Sequence, residues 1–522
     1  MSRYLVKSTA IVGAMTMISR VLGFVRDVVV ARVFGASAAT DAFFLAFRIP
    51  NFLRRVFAEG SFALAFVPVL AEYREKRTRA DMQELLNRVS GTLGLILVLI
   101  TAIGVIAAPV LIMIFGPGFI QEPKKYAMAV DMLRITFPYI LFISLTGLAG
   151  GILNSHGKFA IPAFTPVFLN LSMIAAALWL APLFEVPVMA LAWGVFVAGI
   201  AQLVFQIPYL LQLKLLPRPR WGWAHEGVKR ILKLMIPTII GSQVAQINLL
   251  VDTVIASLLV SGSISWLYYS DRLVELPLGV FGVAIGTVLL PQLSRHYAAS
   301  TMGEFDKVMD WGLRSMLLIS VPSFAGLAML AGPMMVTLFY GGQFGRHDVT
   351  MASYSLMTFS FGLPAFMLIK ALAPGFYSRQ DTKTPVKIGI TAMIANMVFN
   401  VVVVGGMYFG GFTAPHAGLA LSTSLSAFLN AGMLYVTLRR EKVYTPLAGW
   451  GKVWLQLGLA TVLMVTVLWF ATPALEVWIA WRGYVRVAYL AGIIALAGGA
   501  YLLALQLMGI NLLRYVRPRK AG

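Results

Sequence analysis

The stretch Leu93-Gly-Leu-Ile-Leu-Val-Leu-Ile-Thr-Ala-Ile-Gly-Val-Ile-Ala-Ala-Pro-Val-Leu-Ile-Met-Ile-Phe115 contains no charged side chain and exceeds the about 20 helical residues that a bilayer core requires. Similar runs recur along the chain. Of 522 residues 59% are hydrophobic and 12% charged, a composition too apolar for an ordinary soluble domain. The first run follows Arg3 and Lys7 and is interrupted by Arg20, Arg26 and Asp27. No small-residue cleavage site follows it, so it reads as a retained helix and not a signal peptide.

Apolar runs between polar or Pro/Gly breaks predict spans near Thr9 to Val33, Ala42 to Leu70, Leu93 to Phe115, Ala127 to Asn154, Phe159 to Leu180 and Val186 to Leu213. A second group lies near Val228 to Val260, Ser263 to Leu293, Trp311 to Tyr340, Met351 to Tyr377, Pro385 to Met407 and Ala417 to Leu438. Two more follow near Trp450 to Ala471 and Val485 to Met508. The fold class is therefore an all-α polytopic membrane protein of fourteen transmembrane helices.

The charges give the orientation. The net charge is +21, which in a soluble protein would suggest nucleic acid. Alternating the connections between two sides leaves only Arg32, Lys124, Lys125, Arg346, Arg482 and Arg486 on one of them. Most of the other lysines and arginines gather on the opposite side, so the positive-inside rule places both termini in the cytoplasm. The basic excess is topological, and no nucleic-acid partner is expected.

The two groups of six read as a duplication. Leu153, Ser155 and Pro162 recur as Phe376, Ser378 and Pro385, and Pro68 as Pro291, at one spacing of 223 residues. Ala42-Phe-Phe-Leu-Ala-Phe-Arg48 resembles Trp266-Leu-Tyr-Tyr-Ser-Asp-Arg272. An even number of helices per repeat makes the lobes parallel, with a substrate path between them. The expected organisation is 1–222 for the N-terminal lobe, 223–445 for the C-terminal lobe, and 446–522 for two extra helices and a basic tail. Pro217-Arg-Pro-Arg-Trp-Gly-Trp223 sits where a linker is needed.

Eight cations fall on apolar spans: Arg20, Arg26, Arg48, Arg54, Arg55, Arg134, Arg272 and Lys370. An arginine at the bilayer centre costs at least about 2.5 to 3.5 kcal/mol on insertion scales, so such residues must line water or hold partners. Counted from the helix ends, Arg20, Arg54 and Arg272 lie roughly 14 to 20 Å deep. Guanidinium is permanently charged and binds phosphate bidentately, which suits a pyrophosphate in transit. The alternative is that these arginines pair with Asp27, Asp41, Glu59, Asp271 and Glu275 and hold helices in register. Arg48 and Arg134 lie close enough to helix ends to snorkel. Pro50 breaks the phase of its helix, so periodicity does not choose between Arg54 and Arg55. Pro138, Pro237, Pro277, Pro322 and Pro364, with Gly241, Gly279, Gly282 and Gly286, interrupt other spans, as bending points or as ordinary membrane-helix breaks.

Asp252 stands alone on an apolar span, and Asn396 and Asn400 share a helix face. With Thr423 they could hold a monovalent cation, or the amides could bond helices to each other. There are no cysteines, so no disulfide or thiolate metal site exists, and none of the five histidines stands in His-Glu-x-x-His spacing. The chain has no G-x-x-x-x-G-K-[ST] loop for nucleotide hydrolysis.

Four stretches together resemble the MurJ (MviN) lipid II flippases, within the multidrug/oligosaccharidyl-lipid/polysaccharide exporter superfamily. They are Ser19-Arg-Val-Leu-Gly-Phe-Val-Arg-Asp27; Thr40-Asp-Ala-Phe-Phe44 through Pro50-Asn-Phe-Leu-Arg-Arg-Val-Phe-Ala-Glu-Gly60; Ser265-Trp-Leu-Tyr-Tyr-Ser-Asp-Arg-Leu-Val-Glu275; and Ala373-Pro-Gly-Phe-Tyr-Ser-Arg-Gln-Asp381. The resemblance implies two six-helix lobes around a cationic cavity and a groove for the polyprenyl tail at the last two helices. It implies substrate-binding arginines at Arg20, Arg26, Arg54 and Arg272, with acidic partners at Asp27, Asp41, Glu59 and Glu275. In some relatives it implies a sodium site matching Asp252, Asn396, Asn400 and Thr423, where an Asn here replaces one acidic ligand.

The implied function is a transporter, not an enzyme. It would move the undecaprenyl-pyrophosphate-linked peptidoglycan precursor across the bacterial inner membrane by alternating access. Its partners would be lipid II, membrane lipids and peptidoglycan synthesis proteins, with no cofactor beyond a candidate sodium ion. A drug/cation antiporter of the same superfamily should prefer acidic and aromatic cavity residues. A polyprenyl-phosphate glycosyltransferase needs catalytic carboxylates near a membrane face, and none is spaced for that role.

Overall fold

The computed structural model describes residues 3–55, 61–242 and 244–510. Among them the chain is helical, without a β-strand. Among the described residues, eleven helical segments are long and apolar enough to cross a bilayer, from Arg79–Ile106 to Gly483–Leu507, and each falls on a predicted span. The other three predicted spans fall on helices that carry charge or on stretches that include residues outside the described ones, 56–60 and 243. Arg3–Phe34 contains Arg20, Arg26 and Asp27. Ala38–Arg54 is followed by Ser61–Lys76, and Glu226–Ser242 by Val244–Ser257.

The prolines act in different ways. Pro138 separates Pro123–Thr136 from Tyr139–Ser155, and Pro364 opens Leu363–Tyr377 after Arg346–Phe361. Pro277 ends Ser263–Pro277 and is followed by a wide π turn at Leu278–Gly282, the usual cause of a kink where a backbone donor is missing. Pro50 and Pro322 lie inside helices that continue through them.

The chain forms two compact units, one of residues 1–265 with 342–344, the other of 266–341 with 345–522. Each has the same internal devices at the predicted spacing. In the first, the amide of Lys158 donates to Leu153 O at 2.9 Å around a left-handed Gly157 (φ 74°). In the second, Asp381 donates to Phe376 O at 3.1 Å around Gln380 (φ 64°). Both close a helix end by a left-handed cap, and Gln380 accepts the strain that glycine avoids.

Fastening of the segment after the last helix of each six is also repeated. In the first unit Asn87 Oδ1 accepts from Arg218 N at 2.7 Å and Asn87 O from Arg220 N at 2.9 Å, while Gln83 Nε2 donates to Leu216 O at 3.2 Å. Residues 223 further on do the same in the second unit. Asp306 accepts from Thr445 N at 2.8 Å and Asp310 from Leu447 N at 3.2 Å. Asp310 also accepts from Tyr444 Oη at 2.9 Å and Trp450 Nε1 at 2.8 Å, and pairs with Arg314 at 2.6 Å. Burial, followed by the Asp310 carboxylate, pushes the Tyr444 hydroxyl far above its usual range, so it remains a donor. The Pro217–Trp223 linker is therefore a strap laid on the helix Arg79–Ile106. At Gly222 a Cβ would meet Arg88 Cβ at 2.4 Å, a close approach that only glycine allows.

Candidate functional site

In the first unit the arginine motif of the first helix is anchored on a neighbouring apolar span. Arg26 donates to Asp27 Oδ1 from Nε at 3.0 Å and Nη2 at 2.6 Å, and from Nη1 to Asn170 Oδ1 at 3.1 Å. Asn170 returns its Nδ2 to Ser19 O at 2.9 Å. Asp27 is 3% exposed, and a carboxylate so buried keeps its charge through pairing such as this. Asn170 escaped the sequence reading, although a lone amide on the Ala160–Leu183 span was a visible signal.

Arg20, one turn and a half earlier, is exposed, and among the described residues it forms no ion pair. Arg54 donates from Nε to Asn51 Oδ1 at 2.9 Å, a pairing within one helical turn. The neighbouring Arg55 is likewise half-buried. Glu59 lies outside the described residues. Arg48 departs from the snorkelling expectation: its Nη1 donates to Thr253 Oγ1 and, at 3.5 Å, to Leu249 O. The guanidinium thus links Ala38–Arg54 to Val244–Ser257. Arg134 is partly exposed and pairs with Asp131 at 3.5 Å.

Asp41 has a different set of partners from the arginines. It stands in the first turn of Ala38–Arg54, behind the Ser37 cap. Its carboxylate accepts from Gly262 N at 2.7 Å, Ser265 N at 2.9 Å and Ser265 Oγ at 2.7 Å. Its cationic partner is Lys125 at 3.7 Å. Lys125, placed by sequence in a connection, is 2% exposed; its Nζ donates to Ser261 Oγ at 2.8 Å and sits 4.3 Å from the Phe119 ring centroid. The lysine can be buried because a carboxylate, a hydroxyl and an aromatic face replace its water.

In the second unit Arg272 pairs with Glu275 at 2.7 Å and lies 4.7 Å over the Tyr268 ring. This pair is 35% and 51% exposed, unlike Arg26 and Asp27. Asp271, beside it, is half-buried. Asn396 and Asn400 are fully buried and bonded, Asn400 Nδ2 to Asn396 Oδ1 at 2.9 Å. Asn396 Nδ2 faces Thr423 Oγ1 at 3.3 Å and Ser426 Oγ at 3.4 Å. Asp252, half-buried, belongs to the first unit.

In the connection before Lys383, Asp381 lies under opposed influences. Burial raises its pKa, but hydrogen bonds from Thr384 and the charge of Arg379 outweigh it and hold the carboxyl below its ordinary range. Arg379 bridges it at 3.1 Å and also meets Glu441.

Across both units most cations on the predicted spans, Lys370 excepted, are guanidiniums, several half-buried and pre-oriented by amides or carboxylates. Such groups can exchange a protein acceptor for a phosphate oxygen in the same fork geometry.

A family model described as "Lipid II flippase MurJ" matches residues 30–489. The chain is 48% identical to "Probable lipid II flippase MurJ" of Vibrio cholerae serotype O1 over 520 residues, which cover 98% of this chain and 97% of that protein. It is 41% identical to "Lipid II flippase MurJ" of Burkholderia cenocepacia, covering 98% of each. A solved structure, "Lipid II flippase MurJ, inward closed conformation", superposes with a TM-score of 0.80 at 26% identity, over 96% of this chain and 99% of that one. An inward-facing multidrug resistance MATE transporter shares the fold at a TM-score of 0.66 and 13% identity, over 83% of this chain and 98% of that one.

Proposed function

The chain belongs to the MurJ family of lipid II flippases, and from that premise we propose that it carries the lipid-linked precursor across the membrane by alternating access, with Arg20, Arg26, Arg54 and Arg272 receiving the pyrophosphate. It is a multi-pass membrane transporter, and its substrate is lipid II. The observation that carries the binding reading is the retention of these guanidiniums on otherwise apolar spans. Arg20 in particular has no ion-pair partner among the described residues, and a membrane-embedded cation of that kind needs a ligand or water to offset its cost.

In this mechanism the cavity opens to the cytoplasm, the arginines replace water around the pyrophosphate, and the tail stays in lipid while the lobes rock. Asp27 and Glu275 hold Arg26 and Arg272 in place until phosphate competes for their donors. Asp41 ties the second helix to the Gly262–Ser265 turn and is released when that end opens. The membrane potential, about 2.3 kcal/mol per charge per 100 mV, favours outward movement of the anion and return of the emptied cationic cavity. We place the protein in the bacterial inner membrane with both termini cytoplasmic, working with peptidoglycan synthesis proteins. A sodium ion at Asp252, Asn396, Asn400 and Thr423 would couple the cycle to the cation gradient.

The test is depletion. Cells lacking the protein should accumulate lipid II that a periplasmic probe cannot reach. Re-expression of the wild type should restore access, and Arg20→Ala at equal abundance should not. Unchanged periplasmic access after depletion would overturn the transport reading.

A further inference from the structure

Asn170 is the one carboxamide on the span Ala160–Leu183, which carries no charged side chain. Its helix, Pro166–Ala175, packs against the first helix, Arg3–Phe34. Asn170 is 6% exposed, and both ends of its amide are bonded to that helix. Nδ2 donates to Ser19 O at 2.9 Å, and Oδ1 accepts from Arg26 Nη1 at 3.1 Å. Ser19, Gly23 and Arg26 stand at i, i+4 and i+7, on one face of the first helix. The carboxamide lies over that face, since a Cβ at Gly23 would come 3.6 Å from both of its polar atoms. A carbonyl takes only a donor, so Ser19 fixes the amide nitrogen on its own side and turns the oxygen toward the guanidinium.

The guanidinium is thereby held from two sides by acceptors of different charge. Asp27 takes Nε and Nη2 and offsets the charge of Arg26. Asn170 takes Nη1 and offsets none of it. A neutral acceptor fixes the plane of the fork and leaves the charge of the site unchanged. A second carboxylate there would make the Arg26 cluster net negative and repel an approaching anion. Arg54, also assigned to the substrate, is met in the same way by the amide oxygen of Asn51 at 2.9 Å.

We infer that Asn170 is a positioning residue for lipid II: it sets the orientation in which Arg26 presents its guanidinium to the pyrophosphate, without competing for the charge. The inference rests on the substrate role of Arg26 and adds to that site a residue from another helix.

The experiment titrates the purified full-length protein in detergent with lipid II and records the ligand-free melting of each variant. Titrations are run at about pH 8.5, well above the carboxyl range, so that an introduced carboxyl is ionised. Asn170→Ala should bind lipid II roughly tenfold more weakly, the order of one hydrogen bond to a charged group. Asn170→Asp keeps an acceptor for Arg26 and adds a negative charge. It should melt no lower than Asn170→Ala and bind more weakly still, by about another tenfold. In the background Arg26→Gln with Asp27→Asn, whose own affinity should be reduced, Asn170→Ala should change affinity by less than about twofold, because the group it orients is gone.

Wild-type affinity of a folded Asn170→Ala, or an equal further loss in both backgrounds, would overturn the role. So would Asn170→Asp that binds as the wild type does or melts below Asn170→Ala. If Asn170→Ala alone fails to fold, the affinity of Asn170→Asp decides. Failure of both to fold would also overturn the role, by making the amide a support between helices. Wild-type affinity of the Arg26 and Asp27 double variant is a different failure: it removes Arg26 from the substrate path, and with it the reading on which the role of Asn170 stands.

Discussion

Arg26 is where structural support and substrate binding compete most directly. Three of its hydrogen bonds go to Asp27 and Asn170, and Asp27 is 3% exposed. Arg26→Ala therefore breaks a buried ion pair and takes two donors from the carboxylate, at a cost of about 3 to 5 kcal/mol. Arg26→Lys keeps the charge but offers a point donor where the structure uses a fork, so it should recover only part of that stability. Neutralising both groups, as Arg26→Gln with Asp27→Asn, removes the buried charge and should bring melting most of the way back. If Arg26 also binds pyrophosphate, this stable double variant should still fail to transport. The assay pairs thermal unfolding of the purified protein with periplasmic access of lipid II in cells at matched abundance. Wild-type melting of Arg26→Ala would refute the ion-pair argument. Normal transport by the double variant would remove Arg26 from the substrate path.

Arg272→Ala should behave oppositely. Its partially exposed pair with Glu275 is worth about 1 kcal/mol or less, so the variant should fold and melt near wild type yet lose transport; full recovery by Arg272→Glu with Glu275→Arg would make the pair merely structural. Reporter fusions after Arg440 and Arg519 should both read cytoplasmic, and a periplasmic signal at either would overturn the fourteen-helix topology. Asp252→Asn should reduce thermal stabilisation by sodium, as linkage requires; equal stabilisation of both proteins would leave Asp252 and the buried amides as helix contacts. Asp310→Ala should cost about 3 kcal/mol or more by stranding Arg314 and the donors of Tyr444 and Trp450, seen as a lowered melting temperature; an unchanged one would refute its role as the anchor of the 441–449 connection.

The membrane class, the helical spans and the internal repeat were legible in the sequence, because the bilayer imposes apolar length on each helix separately and a duplication preserves spacing. The 223-residue offset of Leu153 and Phe376 reappears in the two helix caps, and Gln83 and Asn87 show it again against Asp306 and Asp310. Charge placement indicated that Arg20, Arg26, Arg54 and Arg272 must line water or hold partners, since one isolated cation on an apolar helix is already costly. The identity of those partners was not legible. Asn170 is 144 residues from Arg26, and Lys125, 84 residues from Asp41, looked like a loop cation. Both pairings depend on which helix faces come together, and in an apolar helix with little periodic contrast the facing side carries no local signal. The linker was the other misleading element: its prolines and arginines have the composition of a tether, but Asn87, Thr92 and Gln83 bind its backbone and make it a strap. Sequence alone thus determined what each segment must be in a bilayer, because that constraint acts on one helix at a time. Only the tertiary structure decided which buried charge meets which acceptor, because that depends on packing between segments far apart in the chain.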